Sequence, residues 1–111
     1  MSELATRAFR TFGPAAAVPN DFVVPYYVED LKRRIAVARV DERLYAFGDL
    51  CTCVQQACPL SGGLLTGTTI MCQCHGSRFD IATGAVVDGP ATEPLTVYEV
   101  QEIAGNIQIR A

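Results

Sequence analysis

Every cysteine of this chain and its only histidine fall within two short segments, residues 50–63 and 71–77. The first holds Cys51-Thr52-Cys53 and then Cys58; the second holds Cys72-Gln73-Cys74-His75. Eighteen residues separate Cys53 from Cys72. Two ligand-bearing loops joined by a connector of that size can close around one metal centre. The first segment also carries Pro59, Gly62 and Gly63, so it cannot be a plain strand. Long loops inside a compact domain are usually functional. Whatever scaffold forms must therefore present two loops side by side. In a reducing compartment, five cysteines in 111 residues point first to metal or redox chemistry.

The rest of the chain reads as an all-β scaffold. It is rich in Val, Ile, Thr and Tyr, with turn residues at short intervals. Strands are expected at 8–12, 22–27, 34–40, 44–47, 69–71, 77–80, 85–87, 96–102 and 107–110. Asp41-Glu42 is expected to turn the clearest hairpin, because an Asp can bond its own backbone there. Ala104-Gly105-Asn106 is expected to turn the last one, where Ile107 and Ile109 alternate with Gln108 and Arg110 as in a half-buried strand. Residues 15–20, with Pro14 before them, Pro19 among them and mostly small residues, read as a loop.

The length fits one domain spanning 1–111. The net charge of −3 argues against a nucleic-acid or anionic-membrane surface. The one basic run, Lys32-Arg33-Arg34, reads as a solvated turn. No apolar stretch approaches the roughly 20 residues of a membrane span. Residues 1–12 carry Glu3, Arg7 and Arg10 and no apolar core, so no signal peptide and a cytoplasmic location are expected.

The run Cys72-Gln73-Cys74-His75-Gly76-Ser77-Arg78-Phe79-Asp80, with Thr83-Gly84, Gly89-Pro90-Ala91 and Pro94-Leu95 after it, resembles the second half of a Rieske [2Fe–2S] domain. Cys58-Pro59-Leu60-Ser61-Gly62-Gly63 resembles the continuation of that family's first loop. The resemblance is tight over residues 49–100 and looser over 6–48. It implies a Rieske-like antiparallel β-sandwich with an inserted two-loop cluster-binding subdomain. In the family each loop gives one thiolate to the inner iron and one imidazole to the outer iron. Carried onto this chain, Cys51 and Cys72 hold the inner iron and His75 the outer one. The second outer-iron position is Cys53, and no other histidine exists to replace it. Cys53 as a ligand gives a three-Cys, one-His site. Cys53 as a bystander leaves the cluster absent or degraded, and as an engineered or incidental substitution leaves it labile. A four-ligand structural zinc site is the other metal reading.

The resemblance further implies a disulfide between Cys58 and Cys74, against the alternative of two buried thiols packing as small hydrophobes. It makes Ser77 a hydroxyl donor to a bridging sulfide, unless Ser77 is only a turn residue. Phe79 stands where high-potential members carry a Tyr that bonds a ligand sulfur; as a core residue it fits either reading. His75 is expected at an exposed tip rimmed by Pro59, Leu60 and Pro90, and as the one proton site coupled to the cluster. The implied function is an electron-transfer ferredoxin, not an enzyme. It would take one electron from a flavin-dependent reductase and pass it to an oxygenase by transient docking, as a monomer. The rival is a redox sensor or cluster donor with a labile three-Cys, one-His cluster, a ligand set that also resembles that of the NEET family.

Overall fold

The computed structural model describes residues 8–52, 58–74 and 76–111. The positions of Cys53 and His75 lie outside the described residues. Ten strands run in order: β1 (Phe9–Pro14), β2 (Phe22–Val28), β3 (Arg33–Val40), β4 (Arg43–Gly48), β5 (Leu64–Thr66), β6 (Thr69–Met71), β7 (Arg78–Asp80), β8 (Val86–Asp88), β9 (Val97–Ile103) and β10 (Asn106–Arg110). They form a six-stranded sheet ordered β1-β10-β9-β4-β3-β2 and a four-stranded sheet ordered β5-β6-β7-β8. Strand neighbours in both sheets are antiparallel. The all-β expectation holds. Among the described residues, no helix is long and apolar enough to cross a membrane.

Turn chemistry sets the register of the large sheet. Asp41 and Glu42 both adopt left-handed φ, 49° and 67°, as do Ala104 and Gly105 at 52° and 78°. Two consecutive left-handed residues twist a two-residue turn to match the twist of its strands. Val40 therefore pairs with Arg43, and Ile103 with Asn106. The last turn is thus one residue tighter than expected, since Asn106 already belongs to β10.

Strand β3 is the centre of the molecule. Ile35 and Val37 point into one core, with Val28, Ala46, Tyr98, Ile107 and Ile109. Ala36, Ala38 and Val40 point into the other, with Phe47, Leu60, Ile70, Phe79 and Ile81. A strand buried on both faces needs a continuous apolar run, which residues 35–38 supply. The first core lies inside the curl of the six-stranded sheet. Phe12 on one edge strand meets Tyr26 on the other edge-on, with ring centroids 5.5 Å apart, and Arg10 pairs with Asp30 at 2.7 Å. The sheet therefore bends far enough for its edges to touch. The second core joins the large sheet to the small one and carries the cysteine loops.

Strand β5 is missing from the expected set. It forms because Gly67, at φ 58°, turns the chain tightly back onto β6, with Thr69 Oγ1 donating to the Thr66 carbonyl at 2.8 Å. Leu64-Leu65 shows no alternation, and Leu64 is exposed, so the sequence gives no strand signal there.

Candidate metal centre

The first loop leaves β4 at Gly48, and its two arms pair at the stem. The Leu60 N–H donates to the Asp49 carbonyl at 2.6 Å, Leu50 bridges Pro59, and the Cys51 N–H donates to the Cys58 carbonyl at 2.8 Å. These bonds hold Cys51 and Cys58 opposite one another, each 6% exposed. The second loop closes as a tight turn between β6 and β7. The Cys72 N–H donates to the Ser77 carbonyl at 2.7 Å, and the Gly76 N–H to the Cys72 carbonyl at 2.9 Å. Gly76 sits at φ 76°, a conformation that costs a side-chain-bearing residue energy.

A disulfide joins the loops, Cys58 to Cys74, with Cα atoms 6.5 Å apart. The bridge implied by the family resemblance is present, and the reading as two packed thiols falls. The Sγ atoms of Cys58, Cys72 and Cys74 lie within 4.8 Å of one another. Two of these three are consumed by the bridge, and a disulfide sulfur is not a thiolate ligand. Cys72, fully buried, is the member of this group with a thiol to offer. Cys51, on the stem of the first loop, is outside the three-sulfur group but is also buried. The cross-link should contribute about 3 kcal/mol through loop closure over a sequence separation of 16. Cys58→Ser/Cys74→Ser is therefore expected to lower the unfolding free energy by that amount in guanidinium titrations. A loss below about 1 kcal/mol would mean that the loops are held by other contacts.

A third segment closes the wall. Gly89–Pro90 is a cis peptide, and beyond it the Ala91 N–H donates to Ser77 Oγ at 3.0 Å. Thr52 Oγ1 donates to the Glu93 carbonyl at 2.5 Å. Ser77 is fully buried where it closes the second-loop turn. Its oxygen accepts from Ala91, which keeps its own proton free to donate. Phe79 is fully buried beside Ile70 and Val86, as a core residue should be.

Two expectations need correction. Leu60 does not rim an exposed tip; it is fully buried in the core between the sheets, while Pro59 and Pro90 are exposed. Nor is Lys32-Arg33-Arg34 simply a solvated turn. Arg33 and Arg34 belong to β3, and Arg34 Nε and Nη2 donate to Asp49 Oδ2 at 3.1 and 2.9 Å. Asp49 is fully buried and also accepts from the Ser61 N–H (2.7 Å, on Oδ1) and the Ser61 hydroxyl (2.9 Å, on Oδ2). One carboxylate thus ties β3 to both arms of the first loop. The sequence reading passed over it. A lone Asp after a Gly carries no motif, and its two partners, Arg34 and Ser61, lie 15 and 12 residues away in sequence.

The donor set suits a [2Fe–2S] centre. Buried thiols at Cys51 and Cys72 belong to one core cluster on two different loops, a disulfide pins those loops, and the buried Ser77 hydroxyl accepts from Ala91 and retains its own proton. Cys53 and His75, the other expected ligands, are outside the described residues.

Comparison with known proteins agrees. Residues 11–99 match the family model described as the Rieske [2Fe-2S] domain. The chain is a member of the Rieske [2Fe–2S] family, and within it an electron-transfer ferredoxin, a carrier of electrons and not itself a catalyst. It is 39% identical over 75 residues to Ferredoxin CarAc of Metapseudomonas resinovorans, covering 68% of each chain. The Sphingomonas yanoikuyae B1 ferredoxin superposes with a TM-score of 0.85 at 32% identity, covering 94% of this chain and 99% of that one. A ferredoxin-like match to the complex of reduced oxygenase and oxidized ferredoxin in carbazole 1,9a-dioxygenase gives a TM-score of 0.81 at 31% identity, covering 90% and 99%.

Proposed function

We propose that the chain is the ferredoxin of a ring-hydroxylating dioxygenase system. It carries single electrons from a flavin-dependent reductase to an oxygenase, on a [2Fe–2S] cluster held by Cys51, Cys53, Cys72 and His75. The observation that carries this reading is the pair of loops pinned by Cys58–Cys74 with the Cys72 thiol buried between them. When bound, the cluster supplies a reversible one-electron couple. The chain's own residues do the rest. The disulfide and the Asp49 network hold the loop stems still. The core around Phe47, Ile70 and Phe79 excludes water from the thiols. Ser77 presents a hydroxyl whose donation would strengthen as charge builds on sulfur. The oxygenase is supported as acceptor by the oxygenase–ferredoxin complex among the similar structures. The reductase, a monomeric state and a cytoplasmic location, and the extent of the domain over 1–111, belong to the same proposal.

Anaerobically purified protein is expected to contain iron and sulfide in the ratio of the family's [2Fe-2S] cluster and to show a rhombic EPR signal after dithionite reduction. Cys72→Ser should abolish both. Iron-free, EPR-silent wild-type protein would overturn the carrier reading.

A further inference from the structure

Beside the stem of the first loop lies a cleft of about 410 Å³ that the cluster site does not use. Its lining includes three cations, Lys32, Arg33 and Arg34, and a single carboxylate, Asp49, which Arg34 already neutralises. Arg10, Arg39 and Arg110 are paired elsewhere with Asp30, Glu102 and Glu99. Among the described residues, the side chains of Lys32 and Arg33 make no ion pair or hydrogen bond. A chain of net charge −3 thus keeps two uncompensated cations on one face.

Tyr98 lines the same cleft. Its body is buried in the core, while its hydroxyl is open to solvent and bonds no described residue. The remaining wall is apolar and reaches outward: Tyr27 is 60% exposed and Leu50 40% exposed. Tyrosine and arginine around a small pocket are the residue types that dominate binding energy at protein interfaces. The polar lining offers donors and positive charge, so its complement is a carboxylate beside an apolar side chain. Leu50 and Thr52, both lining residues, flank Cys51.

We infer that this cleft docks an acidic, aromatic-bearing segment of the oxygenase to which the chain passes electrons, Lys32 and Arg33 meeting its carboxylates and Tyr98 donating to one of them. The inference rests on the carrier reading for the identity of the partner. Its position beside Cys51 would seat the partner against the first cluster loop, and the two cations would orient the approach.

The test uses the cluster-loaded protein and a fluorescein-labelled heptapeptide alternating glutamate and phenylalanine, read by fluorescence anisotropy. Its lysine counterpart is the control. The glutamate peptide is expected to bind, more weakly as salt rises. Lys32→Glu/Arg33→Glu should weaken it at least tenfold. Tyr98→Phe, which removes no bond seen in the fold, should weaken it about threefold to tenfold. No binding, equal binding of the lysine peptide, or an affinity unmoved by the charge reversal would each overturn the inference. The anisotropy readout does not depend on cluster reduction. An absent EPR signal with the peptide still bound therefore defeats the carrier reading, and an intact EPR signal without peptide binding defeats only the docking inference.

Discussion

Cys53→His is expected to raise the midpoint potential by about 0.2 V, the largest single change open to this site. The sign follows from charge. An oxidised [2Fe–2S] core carries +2, and two thiolates with two neutral imidazoles bring the site to zero. A third thiolate makes it −1, and the incoming electron is repelled. At an effective dielectric of about 20, a unit charge about 3 Å from the added electron costs roughly 5 kcal/mol. At about 59 mV per 1.4 kcal/mol for a one-electron couple, that is about 0.2 V. The wild-type midpoint at pH 7 is accordingly expected below about −150 mV, between the Rieske range of roughly −150 to +300 mV and the four-thiolate value near −400 mV. Phe79 acts in the same direction, since a phenyl ring cannot donate a hydrogen bond to a sulfur. Potentiometric titration followed by EPR measures both proteins. A wild-type value above zero, or a Cys53→His shift under about 50 mV, would show that residue 53 does not ligate.

What the sequence makes legible here is chemistry carried by local patterns. Residues 34–40 announce a strand, whose burial on both faces only the fold reveals. Asp41-Glu42 announces a tight turn. The clustering of cysteines announces loops that meet, and the family resemblance assigns Cys58 and Cys74 to each other correctly. The parts that stay hidden depend on where distant residues return. Leu60 looks like an exposed rim residue because it follows Pro59 in a loop; only the pairing of its N–H with the Asp49 carbonyl turns it into the core. Arg34 looks like one more charge in a basic run until β3 brings it over the loop stem. Strand β5 has no period of its own and exists because Gly67 folds it against β6. Each of these is a tertiary contact overriding a local signal.

Asp49 is the clearest case of a residue whose role only the fold reveals, and its removal is expected to be the most damaging change to stability. The carboxylate is fully buried, and all its visible partners are donors: Arg34 from β3 and Ser61 twice from the returning arm. Asp49→Ala leaves the Ser61 N–H and hydroxyl without their acceptor and the Arg34 guanidinium without its counter-charge. Breaking a buried pair by deleting one partner costs about 3–5 kcal/mol. Because the Arg34 side chain is 40% exposed and can turn to water, the lower half of that range is expected. Arg34→Ala strands the buried charge itself, though Ser61 still donates to it, and should cost about 2–3 kcal/mol. Asp49→Asn keeps one acceptor for Ser61 but loses the charge, and should fall between wild type and Asp49→Ala. Urea titrations of the three variants and of Asp49→Ala/Arg34→Ala give the coupling between the pair. The stem also holds Cys51 two residues away, so Asp49→Ala should release iron faster to a chelator than Arg34→Ala does. Equal stabilities across the series would mean that backbone pairing of the two arms fixes the loop without the carboxylate.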